Sequence, residues 1–177
     1  MPNRRVAIQQ LLFICAGAAI LPSCFREEEK VSIPLTKIKI TGGEEKMLAE
    51  LAETIIPKTD TPGAKDLAAH LFVLNMVDDC FEKEKQEKFT LGMKDFETFA
   101  KKKSGRSFAD STSEQKQSVV AELDAMNAGA DNLSFFYHSV KQLTTQAYTS
   151  SQFYLTNIRH YKMIPGKFQG CVPLKVA

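Results

Sequence analysis

The motifs that usually carry chemistry are missing from this sequence, and each absence removes a class of protein. No Gly-x-Gly-x-x-Gly occurs, so the chain builds no dinucleotide-binding turn of its own. No Cys-x-x-Cys-His is present for covalent haem attachment. Neither a Cys-x-x-Cys pair nor a His-Glu-x-x-His offers zinc its usual spacing. The three histidines, His70, His138 and His160, are scattered over separate segments. A b-type haem between two of them is conceivable, but packed or surface histidines are the simpler reading. Asp78 and Asp79 are neighbours, yet adjacent helical positions point about 100° apart, so the two carboxylates do not converge. No nucleophile and base stand out as a pair, which argues against an enzyme. An excess of one charge is missing too. Both surplus positives, Arg4 and Arg5, lie at the start, and without them the 23 basic residues fall to 21 and match the 21 acidic ones. A neutral domain has no electrostatic footprint for nucleic acid.

What is present points first to export. Arg4 and Arg5 precede an apolar stretch, Leu11–Leu21, too short to span a bilayer, which takes about twenty apolar residues. Leu21-Pro22-Ser23-Cys24 then resembles the lipobox of bacterial lipoproteins, with an aliphatic residue three before a cysteine and a small residue just before it. In such a site the small residue admits the peptidase and the Cys24 thiol takes the diacylglycerol. Two or three acyl chains make a lasting anchor where one would not. Asn3-Arg4-Arg5-Val6-Ala7-Ile8 resembles a twin-arginine export signal without its usual Phe-Leu-Lys continuation, and an ordinary secretory signal fits the same arginines. The run Phe25–Lys30 resembles acidic export tags of surface lipoproteins, a plain solvated linker being the simpler account. The expected organisation is a signal peptide over 1–23, a lipidated tether over 24–43 and a helical domain over 44–177. The chain is expected to face the periplasm, or the cell surface, from a membrane anchor.

The remainder reads as helices. With 177 residues, 44% hydrophobic and 25% charged, the chain has the composition of one soluble domain. Thr41 and Glu44 form a capping box ahead of Met47, Leu48, Leu51 and Ile55 at helical spacing. Pro57 ends that helix. Pro62 and Gly63 suit the central positions of a type II turn, which needs positive φ at Gly63. Ala64–Phe81 reads as a central buried helix, with Leu67, Leu71 and Leu74 on one stripe and Val73, Val77 and Cys80 on another. A charged stretch, Glu82–Lys88, leads into an amphipathic helix with Phe89, Met93, Phe96 and Ala100. Its end is marked by Lys101-Lys102-Lys103 before Ser104-Gly105, basic residues facing a helix C-terminus. Ser111 and Glu114 suggest a second capping box before Val119, Val120, Leu123 and Met126, and Gly129 breaks that helix. Leu133, Phe136, Tyr137, Val140 and Leu143 mark the next helix, to about Tyr148, and a shorter one follows around Ser151–Tyr161. The expected fold is all-α: a compact bundle of five to six helices with an irregular C-terminal tail.

The order of these pieces resembles a known family. Leu51-Ala-Glu-Thr-Ile-Ile-Pro-Lys-Thr-Asp-Thr-Pro-Gly-Ala64 is similar to the opening motif of the gluconate 2-dehydrogenase subunit 3 family, with Pro57, Asp60, Thr61, Pro62 and Gly63 its most specific part. Phe89–Met93, Phe108 ahead of the helix with Gln115, and Tyr161–Pro173 follow in the family's order. Thr149-Ser150-Ser151 departs from the aromatic or glycine usual there. The resemblance covers Glu44 to Pro173. It implies a non-catalytic small subunit with no cofactor of its own. The expected partner is a flavoprotein of the glucose-methanol-choline type that holds FAD and oxidises a sugar, sugar acid or polyol, with a cytochrome subunit as a further partner. The family's patterned residues are turn and packing types, so no catalytic residue carries over. A lipoprotein interaction module unconnected to a dehydrogenase is the alternative. An oxidising compartment also invites disulfides. Cys80 reads as a buried thiol on an apolar stripe, and Cys171 as a tail thiol within reach of a partner. That leaves three outcomes: an intersubunit bridge through Cys171, an internal Cys80–Cys171 bridge, or two free thiols.

Overall fold

A computed structural model describes residues 30–127, 131–164, 166 and 171. Among these residues lie α1 (Gly42–Ile55), α2 (Ala69–Cys80), α3 (Lys83–Ser104), α4 (Ser113–Asp124) and α5 (Asn132–Ser150), then a π-helix at Tyr154–Ile158, and no strand. The fold is all-α, as the spacing of apolar residues implies. Arg4, Arg5, Cys24 and the expected break at Gly129 lie outside the described residues.

Local signals set the helix ends. Thr41 caps α1 in a capping box, its hydroxyl accepting from the Glu44 N–H while the Glu44 carboxylate accepts from the Thr41 N–H at 2.7 Å. α3 takes in the charged stretch after Glu82 as its first two turns. It closes on Gly105, whose φ of 73° suits the left-handed cap, with Lys101, Lys102 and Lys103 in the last turn. The box before α4 sits one residue later than expected, pairing Thr112 with Gln115. Ser111 is drawn inward instead, its hydroxyl donating to Ser104 Oγ and the Ser107 carbonyl, so the next residue is left to cap. Asp131 caps α5 by accepting from the Ser134 N–H at 2.7 Å.

α3 and α5 form the most extensive helix pair. Phe89, Phe96 and Phe136 stack between them, with centroid separations of 4.9 Å (Phe89–Phe136) and 5.5 Å (Phe96–Phe136). Phe108, from the α3–α4 connection, closes the cluster against Phe96 at 4.9 Å. Such tilted aromatic contacts add to the burial of large apolar surface. Tyr137 is fully buried yet satisfied: its hydroxyl donates to Asp124 Oδ1 at 2.7 Å. Burial, and then the Asp124 carboxylate, push the phenol well above its ordinary value.

Three expectations are corrected here. The central helix begins at Ala69 rather than Ala64, and residues 64–68 form turns ending on Ala68 at φ 51°. The i→i−4 ladder is broken there: the Ala68 N–H donates to the Lys65 carbonyl and the Ala69 N–H to the Ala64 carbonyl, and left-handed Ala68 separates these turns from the helix. Cys80 is exposed, not buried. Its stripe runs along the core face, but Cys80 is the last residue of α2, and at Phe81 the chain turns inward to lay that ring against Phe89 and Phe135. The stretch expected to be a tether is also folded onto the bundle from about residue 31. Ile38 is 5% exposed, and Ile33, Leu35 and Ile40 pack against the core.

Asp78 holds that segment down. Its carboxylate accepts from the N–H groups of Thr36 (2.9 Å), Lys37 (2.7 Å) and Ile38 (2.8 Å), and from the Thr36 hydroxyl (3.0 Å). Burial alone would raise this carboxyl; the bonds from Thr36, Ile38 and Lys37 outweigh it and hold the group down at about 2. Gln86 closes the same corner, donating to the carbonyls of Val77 (3.0 Å) and Asp78 (2.8 Å) that the end of α2 leaves unpaired.

Candidate docking surface

The turn after α1 is organised by a carboxylate one helical turn upstream. Glu53 accepts from the N–H groups of Lys58 and Lys65, both at 2.9 Å, and so pins both ends of the loop. Lys58 pairs with Asp66 at 2.9 Å across it, and Ala64 N–H returns to the Ile56 carbonyl at 2.9 Å. Gly63 is buried here without positive φ, so the type II turn is not formed. The constraint on this glycine is a different one: a Cβ here would fall on the Glu53 carboxylate, which would have to swing away and give up its bonds to the Lys58 and Lys65 N–H groups. Glu50, beneath the loop, binds Lys65 (2.5 Å) and Lys116 of α4 (2.7 Å). Burial raises the Glu50 carboxyl, but the two lysines outweigh it and leave it below its ordinary value. Pro57, Lys58, Thr59 and Asp60 are exposed at the tip, with Thr61 and Pro62 half-buried at its base.

This loop meets the far end of α5. The Tyr148 hydroxyl donates to Thr61 Oγ1 at 3.4 Å, and its ring sits edge-on to Tyr154, the first residue of the π-helix, at 6.1 Å. Between the start of α2 and the π-helix runs an open groove of about 680 Å³, with Leu67, Phe72 and Phe153 on its walls and Ser151, Gln152 and Asn157 along its rim. Among the described residues no lysine or arginine lines it. From the last residue of the π-helix onward the chain carries Ile158, Tyr161, Met163 and Ile164 uncovered, the last two 85% and 84% exposed. Leu91 is the fifth large exposed hydrophobic residue among those described. Four of the five large exposed hydrophobic residues among those described thus fall between Ile158 and Ile164, interspersed with exposed Arg159, His160 and Lys162, and apolar groups gathered in this way mark interaction sites.

The other candidate residues are not brought together. His70 is half-buried on α2, its Nδ1 buried without a hydrogen-bond partner, and burial holds the ring below its ordinary value. His138 Nε2 lies 3.0 Å from the Met126 carbonyl, and His160 is exposed at φ 49°. No cluster of three metal-ligating side chains occurs among the described residues. Asp79 is exposed, while Asp78 spends its carboxylate on the backbone. Cys80 and Cys171 are both exposed, with free thiols in this structure. Glu50, Glu53, Tyr148 and Tyr154, which shape this surface, escape a reading by motif because acids and tyrosines near helix ends are common and only their partners distinguish them.

Gly63 offers a direct test. Gly63→Ala should lower stability by about 1–3 kcal/mol, because the new methyl displaces the carboxylate that holds the loop. In a double-mutant cycle with Glu53→Ala, measured by chemical denaturation, the double variant should lose much less than the sum of the two single losses. Simple additivity would place the cost of the alanine elsewhere.

Residues 43–166, nearly all of the helical domain just described, match the family model for gluconate 2-dehydrogenase subunit 3. No curated protein and no solved structure matches the chain.

Proposed function

The chain belongs to the gluconate 2-dehydrogenase subunit 3 family, an accessory subunit of a dehydrogenase complex, and from that membership we propose that it is the non-catalytic small subunit of an exported, membrane-anchored flavin dehydrogenase. Its partner is a flavoprotein of the glucose-methanol-choline type, which holds FAD and oxidises a sugar, sugar acid or polyol. This chain assists the maturation and export of that partner and anchors it through the lipid on Cys24, while a cytochrome subunit accepts the electrons. The observation that carries the reading is the set of exposed apolar residues Ile158, Tyr161, Met163 and Ile164. They have the character of anchors awaiting a partner, with exposed Arg159, His160 and Lys162 as their polar neighbours. Cys171, further along the chain, is exposed, and its thiol can bridge to a cysteine of the docked partner.

Affinity purification of the full chain from membranes should bring down a yellow, FAD-carrying polypeptide, and a non-reducing gel should show the two as one heavy band that reduction splits. Met163→Asp with Ile164→Asp should abolish the co-purification while leaving the helical signal unchanged. Deleting the gene should leave the flavoprotein unexported or without FAD. A flavoprotein that is exported and active in that deletion strain would defeat the reading.

A further inference from the structure

Charge is not spread evenly along this chain. Residues 30–131 hold 15 basic and 18 acidic side chains, whereas Asp131 is the last acid in the sequence and only basic residues follow it. Lys141, the first of these, is spent on Asp124 at 2.5 Å. Arg159 and Lys162 come next; both are exposed, and neither meets a carboxylate among the described residues. They stand among the exposed apolar side chains Ile158, Tyr161, Met163 and Ile164. The motif loop, tied to this end through Tyr148, adds exposed Asp60 and the Lys58–Asp66 pair. The neutral balance of the domain thus conceals a segregation, with its unpaired cations set among its uncovered apolar groups.

Apolar groups interspersed with cations suit either an anionic lipid surface or an acidic protein, and the adjoining groove decides between them. Leu67, Phe72 and Phe153 wall a hollow of about 680 Å³ that reaches Asn157, next to the exposed run that begins at Ile158. A headgroup layer is flat on this scale and leaves such a hollow wet, while a protein fills it with a side chain of its own. We propose that this end of the domain receives an acidic face of the flavoprotein partner: carboxylates there meet Arg159 and Lys162, and an apolar side chain enters the groove. The proposal rests on the docking reading above and adds the chemistry of the receiving surface. Opposite charge on the two faces speeds their encounter by about ten-fold or more at low salt, and it disfavours approach through the body, where acids outnumber bases.

The test measures association rates. The full chain is immobilised with Cys171→Ser, which removes the thiol that can bridge. The FAD-carrying chain, recovered from membranes with the parent and released by reductant, is passed over it at about 50 mM and about 500 mM NaCl. Arg159→Glu with Lys162→Glu should slow association about ten-fold or more at low salt and stay within about three-fold of the parent at high salt. Arg159→Lys with Lys162→Arg, which keeps the charge, should retain the parent's rate. Lys85→Glu with Lys94→Glu makes the same change of net charge on α3. Those lysines are exposed, and Gly92 between them faces Asn132, the first residue of α5, whose 19 residues set its two ends roughly 27 Å apart. At that distance screening should hold the effect below about two-fold. A reversed pair at 159 and 162 that associates as fast as the parent at low salt overturns the acidic receiving face and leaves the docking reading standing. An equal loss from the pair on α3 does the same. A flavoprotein that does not rebind the parent overturns both. Phosphatidylglycerol vesicles that bind the Cys24→Ala chain, and release it once Arg159 and Lys162 are reversed, would assign this end to lipid and overturn the protein partner.

Discussion

Gly92→Ala should cost the domain about 3 kcal/mol, and Gly92→Val should leave it largely unfolded. Gly92 is buried in the middle of α3, where an alanine would ordinarily gain nearly 1 kcal/mol of helix propensity. Here a Cβ would run into the Asn132 carbonyl oxygen of α5 and lie 2.6 Å from Phe136 Cβ and 2.8 Å from the Asn132 carbonyl carbon. Two of those three atoms are backbone, so no side-chain rotation relieves the clash, and the two helices must separate. Phe89, Phe96 and Phe136 pack across the same contact and would loosen with it. Overpacking of this kind costs about 1–3 kcal/mol and more where backbone must move. Against a total stability of about 5–15 kcal/mol, a valine there removes most of the margin. Thermal melts should show a fall of about 10 °C for the alanine variant. Gly43→Ala is the matched control, since its Cβ would meet only Thr41 Oγ1, at an ordinary 3.8 Å. A Gly92→Ala melt as high as the parent's would mean that α3 and α5 do not approach as closely as described.

Asp78→Ala should detach residues 31–40 and cost about 3 kcal/mol. Removing the carboxylate leaves three N–H groups and a hydroxyl without their acceptor, and each such buried group costs about 1–3 kcal/mol unless water reaches it. Thr36 and Lys37 are already exposed, but water reaches the Ile38 N–H only if the segment lifts, which re-exposes Ile38. Hydrogen exchange should therefore accelerate at Thr36, Lys37 and Ile38 in the variant, with α5 still protected. Asp79→Ala, one residue on and exposed, should change stability by less than about 0.5 kcal/mol. The same carboxylate gives a pH signature. Its folded value of about 2 lies below the ordinary 3.8, so its contribution is complete above about pH 4 and is lost as pH falls toward 2. That loss should amount to about 2 kcal/mol in the parent and be absent from Asp78→Ala. A segment that lifts at acid pH equally in both proteins would assign the acid sensitivity to other carboxylates.

Much of this architecture is local, and local features are legible in sequence. The Thr41–Glu44 box, the lysines ahead of Gly105 and the apolar spacing of α3 and α5 each depend on residues within one or two turns, so composition and periodicity reveal them. The family motif is legible in the same way: Pro57 to Gly63 form a loop between α1 and α2. The reasons behind individual residues are not. Gly63 looked like a positive-φ glycine because Pro-Gly favours that turn, but the constraint is the Glu53 carboxylate packed beneath it. Cys80 shared the angle of a core stripe, yet periodicity carries no information about where along a helix the core ends. The segment before Thr41 looked like a tether because polar and apolar residues alternate over a short stretch, and only Asp78, about 40 residues away, makes it part of the fold. The all-helical class, the Thr41 and Gly105 caps and the family were determined by the sequence alone, since short-range hydrogen bonding and side-chain spacing suffice for them. Which carboxylate meets which backbone, and which apolar residues remain uncovered, was decided by the tertiary structure, because those partners are chosen by how the helices pack.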